Sequence, residues 1–246
     1  MRLARKTAIV TGGGSGFGEG IVKKFFNEGA MVIVVDIDHA AAKRVADLYG
    51  GMAFQADVSK MADWQALAAL VRDTFDGVDI LVNNAGITHL PQPMDEVSEE
   101  EFDRVMAVNA KSVYLSAKTI VPMMKEAESG VILNVASTAG VSPRPNLNWY
   151  NASKGWMITA TKAMAVELAP LGIRVNAINP VAGETPLLQS FMGEDTPEIR
   201  AKFLSTIPLG RFSTPDDIAN AACFLCSDEA SMITGVAMEV DGGRCI

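Results

Sequence analysis

Seven short runs of mostly consecutive apolar residues recur along the chain: TAIVT (7–11), MVIVVD (31–36), MAFQAD (52–57), DILVNNA (79–85), GVILNVAS (130–137), IRVNAIN (173–179) and GVAMEVD (235–241). They lack the polar/apolar alternation of half-buried strands and suit strands covered on both faces. Between them the spacing becomes helical. In GEGIVKKFFNEGA (18–30), Ile21, Val22, Phe25 and Phe26 share one stripe and Gly29 marks the stop. Ser98 with Glu101 three residues on predicts a capping box, opening a long helix that carries Phe102, Val105, Met106 and Asn109. Thr214, Pro215 and two acidic residues mark a second helix start. Strand and helix therefore alternate, which predicts a parallel sheet with helices on both faces, because right-handed crossovers deliver each helix to one side or the other. The segment 181–213 breaks the alternation; it is rich in Gly, Pro and Met and too long for a spacer, so it reads as a lid or substrate-binding insertion. One doubly wound α/β domain over 1–246 is expected, with 181–213 inserted in it.

Composition narrows the partners. At 246 residues and 49% hydrophobic content the chain can bury one large core. Its net charge of −8 and pI near 4.8 argue against a nucleic-acid partner, whose phosphates demand clustered Lys and Arg. No apolar run approaches a membrane span, and the glycines at 12–14 leave no room for a secretory apolar region, so a soluble cytoplasmic protein is expected. The three cysteines are odd in number. Cys223 and Cys226 lie in the apolar run IANAACFLC, where cysteine serves as a small buried hydrophobe, and no second ligand pair completes a metal site.

The glycines of TGGGSGFGEG follow the first strand and open the first helix, where an α/β sheet places a pyrophosphate against helix amides. Their spacing, Gly12, Gly16 and Gly18, departs from G-x-G-x-x-G. Asp36 closes the second strand, where a carboxylate accepts from adenosine ribose hydroxyls and repels a 2′-phosphate. Neither Ser15 nor Ile37 supplies a compensating cation, so NAD is expected over NADP. Ser137 stands at the end of the fifth strand, and Tyr150 and Lys154 follow one helical turn apart. A phenol titrates near pH 10, so a neighbouring cation is needed to make it a usable acid/base.

TGGGSGFG (11–18), Asp57–Val58, NNAG (83–86), Asn109 in VMAVNAKS, Ser137, YNASK (150–154) and INP before the variable segment occur in the order and spacing of one family, and the chain resembles the short-chain dehydrogenase/reductases over essentially its whole length. The resemblance implies a Rossmann fold with seven strands in order 3-2-1-4-5-6-7 and a homotetramer. It implies Tyr150 as proton donor or acceptor and Ser137 as the hydroxyl holding the substrate oxygen. Lys154 would bind the nicotinamide ribose and lower the tyrosine pKa; Asn109 would bend its helix and hold a water linked to Lys154. Cofactor contacts are expected from Gly12, Ser15, Gly16, Phe17, Gly18, Asp36, Ile37, Asp57, Val58, Asn83, Asn84, Ala85, Gly86, Pro180, Val181 and Thr185, besides Tyr150 and Lys154. Val181 departs from the family by standing where many members carry glycine.

The residues fix a hydride transfer and not its substrate. His89, Arg144, Asn146, Asn148 and Glu184 form a polar set expected to face a small polyol, sugar or hydroxy acid, whereas His39 is expected to be exposed at a helix start. The main reading is an NAD-dependent secondary-alcohol dehydrogenase. A 3-oxoacyl-[acyl-carrier-protein] reductase shares all these motifs, and a catalytically silent nucleotide-binding scaffold is the alternative of another class. The tail residues Arg244, Cys245 and Ile246 are expected to help close a neighbouring subunit's pocket.

Overall fold

The computed structural model describes all residues, 1–246. In chain order the elements are β1 (Thr7–Thr11), α1 (Gly16–Asn27), β2 (Met31–Asp36), α2 (His39–Tyr49), β3 (Met52–Gln55), α3 (Met61–Thr74), β4 (Ile80–Asn83), α4 (Glu99–Met106), α5 (Ser112–Glu126), β5 (Gly130–Val135), α6 (Asn148–Leu168), β6 (Ile173–Pro180), α7 (Leu188–Met192), α8 (Pro197–Leu204), α9 (Pro215–Cys226) and β7 (Ala237–Val240). All seven strands pair in parallel, in order β3-β2-β1-β4-β5-β6-β7.

The consecutive apolar runs serve two cores at once. Ala8, Val10, Val32, Val34, Ile80 and Val82 point to one face, under α1, α2 and α9, with Ile21, Phe25, Val45 and Ile218. Their neighbours Ile9, Ile33, Val35 and Leu81 point to the other, against Trp64, Leu67, Leu115 and Ile120. A pleat that alternates sides, covered on both, needs apolar residues at every position.

Several predicted strands stop early. β3, β4 and β5 end at Gln55, Asn83 and Val135, so Asp57, Asn84 and Ser137 leave the ladder for the loops beyond it. Phe26 is 41% exposed rather than on the buried stripe; it lies one position round the helix from Phe25, with its ring against the end of α2. Ser98 caps α4 through the Glu101 amide at 3.2 Å, but the Glu101 carboxylate accepts from Gln92 at 3.0 Å, leaving the box half formed. At α9 the box of Thr214 and Asp217 is complete, and Arg211 pairs with the same carboxylate. Cys223 and Cys226 face the core beneath α9, His39 is exposed at the start of α2, and no helix is long and apolar enough to cross a membrane. The segment 181–213 carries α7 and α8 around a small core of its own, Val181, Leu188, Met192, Ile207 and Phe212.

Candidate active site

From β1 the chain winds outward to β2 and β3, and from β4 it winds the other way to β7. Loops leaving the carboxyl ends of β1 and β4 therefore diverge and leave a crevice, the switch point of a doubly wound sheet. A cavity of about 480 Å³ fills it, lined by the glycine turn, Asp36–Ile37, Asp57–Val58, Asn84–Gly86, Ser137, Tyr150, Lys154 and residues of 180–187.

One end is built for a dinucleotide. Gly12 and Gly16 adopt positive φ, 61° and 55°, and a Cβ on Gly18 would lie 2.0 Å from the Gly12 carbonyl oxygen, so only glycine lets the turn fold back on α1. Ser15 stands at the helix N-cap without a side-chain cap bond, which leaves the first-turn amides of α1 available to an anion. Thr11 holds this floor to β4. Its Oγ1 accepts from the Asn84 and Ala85 amides, while the Asn84 side chain donates to the Thr11 and Gly12 carbonyls at 2.8 and 3.1 Å. The Asp36 carboxylate accepts from the Gly14 and Asp38 amides at 2.9 and 3.0 Å and faces the cavity. Arg44 also reaches the turn, donating to the Gly14 carbonyl, but it is ion-paired to Glu19. The glycine floor, open helix end and carboxylate fit a pyrophosphate and a ribose diol.

At the other end, α6 carries Tyr150 and Lys154 on one face, 5% and 4% exposed. Burial pushes the Tyr150 phenol up to about 12, opposed by the nearby Ser137 hydroxyl. Burial also holds the Lys154 ammonium down to about 8. Its Nζ donates to the Val135 carbonyl at 2.8 Å and lies 5.9 Å from the Tyr150 ring centroid. Asn109 sits in a π-helical turn, Ala107–Lys111, between α4 and α5. It does not line the cavity: its amide donates to the Ile87 carbonyl and Ser153 Oγ and accepts from the Ile87 amide, each at 2.9 Å.

Ser137 and Tyr150 line the cavity, but of the polar set expected to face the substrate, His89, Arg144, Asn146, Asn148 and Glu184, only Arg144 does. Asn109 grips Ile87 by two bonds and turns the following residues inward, so His89 is 1% exposed with Nδ1 on the Leu90 carbonyl, away from the cavity. Asn148 lies two positions before Tyr150 on α6, hence on the opposite side, and Leu147 takes the wall instead. Asn146 is exposed in a left-handed turn, φ 64°. Glu184 is exposed while Thr185 and Leu187 turn inward. Asn83 lies beneath the cavity in a buried chain in which it donates to Asn134 and Asn134 donates to Thr161, tying β4 and β5 to α6. Val181 is buried in the wall, and the close approach comes two residues on, at Gly183, where a Cβ would meet the Phe17 ring at 2.3 Å. Arg244 donates to Ser142 of its own chain, and Ile246 is fully exposed.

Sequence reasoning missed Thr11, Asn134, Asn151, Thr161, Phe191 and Phe203. The polar Asn134 within the apolar run GVILNVAS was one available signal. Phe191 meets the Tyr150 ring edge-on, centroids 5.0 Å apart, and no sequence spacing announces that contact.

A family model described as enoyl-(acyl carrier protein) reductase matches residues 12–244. The 4-formylbenzenesulfonate dehydrogenase TsaC1/TsaC2 of Comamonas testosteroni is 50% identical, covering 100% of both chains. The 2-(S)-hydroxypropyl-CoM dehydrogenase 3 of Xanthobacter autotrophicus is 39% identical over 98% of this chain and 97% of its own. A crystal structure of a 3-ketoacyl-(acyl-carrier-protein) reductase from Brucella melitensis complexed with NADH is 54% identical, with TM-score 0.94, covering 99% of this chain and 100% of the other. Matched over nearly its full length by dehydrogenases and reductases, and folded on the same seven-stranded sheet, the chain belongs to the short-chain dehydrogenase/reductase family and is an oxidoreductase that uses a nicotinamide cofactor.

Proposed function

We propose that the protein interconverts a secondary alcohol and its ketone by NAD-dependent hydride transfer, with Tyr150 as general acid/base. The observation that carries this reading is the meeting of buried Tyr150, Ser137 and Lys154 in one cavity whose far wall is Asp36. The glycine turn and the open end of α1 would hold the pyrophosphate, Asp36 the adenosine ribose, Lys154 the nicotinamide ribose, and Thr185 and the Val181 backbone the carboxamide side. When bound, the nicotinamide supplies the hydride acceptor or donor, and in its oxidised form a positive charge that favours the phenolate.

Ser137 fixes the substrate oxygen against Tyr150, whose phenol gives up its proton in reduction and whose phenolate takes one in oxidation. Asn109 is a positioning residue, holding the loop at Ile87 and Ser153 in α6. The insertion 181–213 closes the substrate end. Apolar side chains exposed on α5 and α6, Tyr114, Trp156 and Val166, support a homotetramer.

A panel of polyols, hydroxy acids, aromatic alcohols, their carbonyl partners and acyl thioesters, followed at the reduced-nicotinamide absorbance, tests the reading. Turnover is expected, and Tyr150→Phe should lower kcat by about 10²–10⁴-fold. No turnover on any compound would support the silent-scaffold alternative. The solved relative named as a 3-ketoacyl-(acyl-carrier-protein) reductase supports the acyl-thioester arm as a second reading. An enzyme of charge −8 suits an acidic carrier poorly, so free alcohols are expected to be preferred.

A further inference from the structure

Away from the reacting end, the cavity wall carries a charge with no counter-ion. Arg144 lines the cavity, and its guanidinium donates to Thr206 Oγ1 at 3.1 Å and lies over the Phe203 ring, 4.2 Å from the centroid. No carboxylate pairs with it. Arg244 joins it from the C-terminal tail, its Nη1 donating at 3.0 Å to Ser142, two residues before Arg144, and its Nε buried without a partner. Asp241, the acidic side chain closest to Arg244 in sequence, is committed to the Gly243 and Cys245 amides at 2.9 and 2.8 Å. Burial, with the Arg244 charge adding to it, holds Arg144 down to about 10.

A guanidinium in the cavity wall, with a second one bonded to the same loop close enough to lower its pKa and no carboxylate paired with it, is costly, and guanidinium forks match an oxyanion. The pair is also registered to the reacting end. Asn151, next to Tyr150 on α6, donates to the Arg144 carbonyl at 2.7 Å and so ties the arginine loop to the helix that carries the acid/base. Between the two ends the wall is apolar, with Phe191 against Tyr150 and Phe203 beneath Arg144.

We propose that Arg144 and Arg244 form an anion clamp that holds a carboxylate or sulfonate on the end of the substrate remote from the reacting carbon, with Phe191 and Phe203 flanking an apolar body between. The clamp deepens the hydride-transfer reading and rests on it only for the position of the reacting carbon.

Two measurements test it. The first compares the ketone 4-acetylbenzoate with its neutral analogue 4-methylacetophenone in the wild type, Arg144→Gln, Arg144→Lys and Arg244→Gln. Losing a charged hydrogen-bond partner should raise the KM for 4-acetylbenzoate roughly 10–100-fold in either glutamine variant, leave the neutral ketone within about twofold, and be partly recovered in Arg144→Lys. The second titrates 4-methylbenzoate and 4-methylbenzenesulfonate calorimetrically into the NADH-loaded protein, where the tighter ligand assigns the anion and both glutamine variants should weaken it. Equal effects on charged and neutral ketones, or unchanged anion binding in both variants, overturn the clamp and leave the hydride-transfer reading standing. Anion binding that depends on Arg144, with neither ketone turned over, supports the clamp and counts against the hydride-transfer reading. Absence of both turnover and anion binding overturns the clamp.

Discussion

Lys154 is the most costly side chain of the site to bury: it is nearly enclosed, its one hydrogen bond goes to a backbone carbonyl, and burial holds its pKa at about 8 against an ordinary 10.5. Below about pH 8 the folded protein must keep an ammonium ion out of water, whereas the unfolded chain stays protonated in water up to 10.5. The unfolded state therefore binds more protons between those values, and stability contributed at Lys154 rises with pH across that window. Tyr150 acts in the opposite sense at higher pH. Its phenol, pushed up to about 12, stays neutral in the fold where unfolded phenols ionise, so its contribution is lost as pH rises from about 10 to about 12. Lys154→Met should accordingly be more stable than the wild type at pH 7, by at most on the order of 3 kcal/mol before the lost Val135 bond is subtracted. Melting scans from pH 7 to 10 should show that advantage shrinking towards zero, with activity down at least about 10²-fold throughout. A variant less stable at pH 7, by an amount that does not change with pH, would show that burial does not strain the ammonium. The pairing of Tyr150 with Lys154 was legible in the sequence because four residues is one helical turn. The direction of Lys154 towards Val135 was not, because it depends on where β5 passes α6.

At the scale of elements, the site depends on how α6 is held to the sheet. The chain from Asn83 through Asn134 to Thr161 is buried, and Thr161 also donates to the Met157 carbonyl at 2.8 Å one turn earlier. Register explains the chain: Asn83 of β4 lies opposite Asn134 of β5, so two polar residues within apolar runs meet side by side. Thr161→Val keeps the shape and removes the acceptor for Asn134, leaving a buried amide unsatisfied at a cost of about 1–3 kcal/mol. Urea denaturation should show the midpoint falling, with the slope unchanged, and Thr161→Ser should restore most of it. A midpoint unchanged in Thr161→Val would mean that Asn134 finds another partner and that α6 is positioned by apolar packing alone. Helix starts were legible where a cap lies within a few residues of its partner, as at Thr214 and Asp217. The half-formed box at Ser98 was not, because Glu101 turns to Gln92, on a loop whose course only the fold decides. His89 and Glu184 were misplaced for the same reason: in 87–90 and 181–187, tertiary contacts choose the side chains that turn inward, whereas Asn148 was misplaced because two positions before Tyr150 put it on the other side of α6.

Across the whole molecule, the two-faced burial of the strands made a doubly wound sheet legible, since only helices on both sides account for apolar residues at successive positions. The segment 181–213 was legible as an interruption, and its contact with Tyr150 through Phe191 was not, because that contact joins segments with no shared periodicity. The sheet also dictates a thermodynamic property. The cavity draws its wall from loops after six strands, β1 through β6, so a ligand that spans it ties the sheet's outer and inner halves together and must stabilise the molecule globally. A cofactor held only by the native state at about a hundred times its Kd adds about 2.7 kcal/mol, which in a chain of this size raises Tm by roughly 5–10 °C. On the proposed NAD reading, Asp36 selects the cofactor: its carboxylate, fixed by the Gly14 and Asp38 amides, would accept from a ribose diol and repel a 2′-phosphate. At equal concentrations NADH should therefore raise Tm more than NADPH, and Asp36→Ser should narrow the gap chiefly by weakening the response to NADH. Equal shifts with the two cofactors in the wild type would show that Arg44 leaves Glu19 to meet the phosphate, and NAD preference would have to be abandoned.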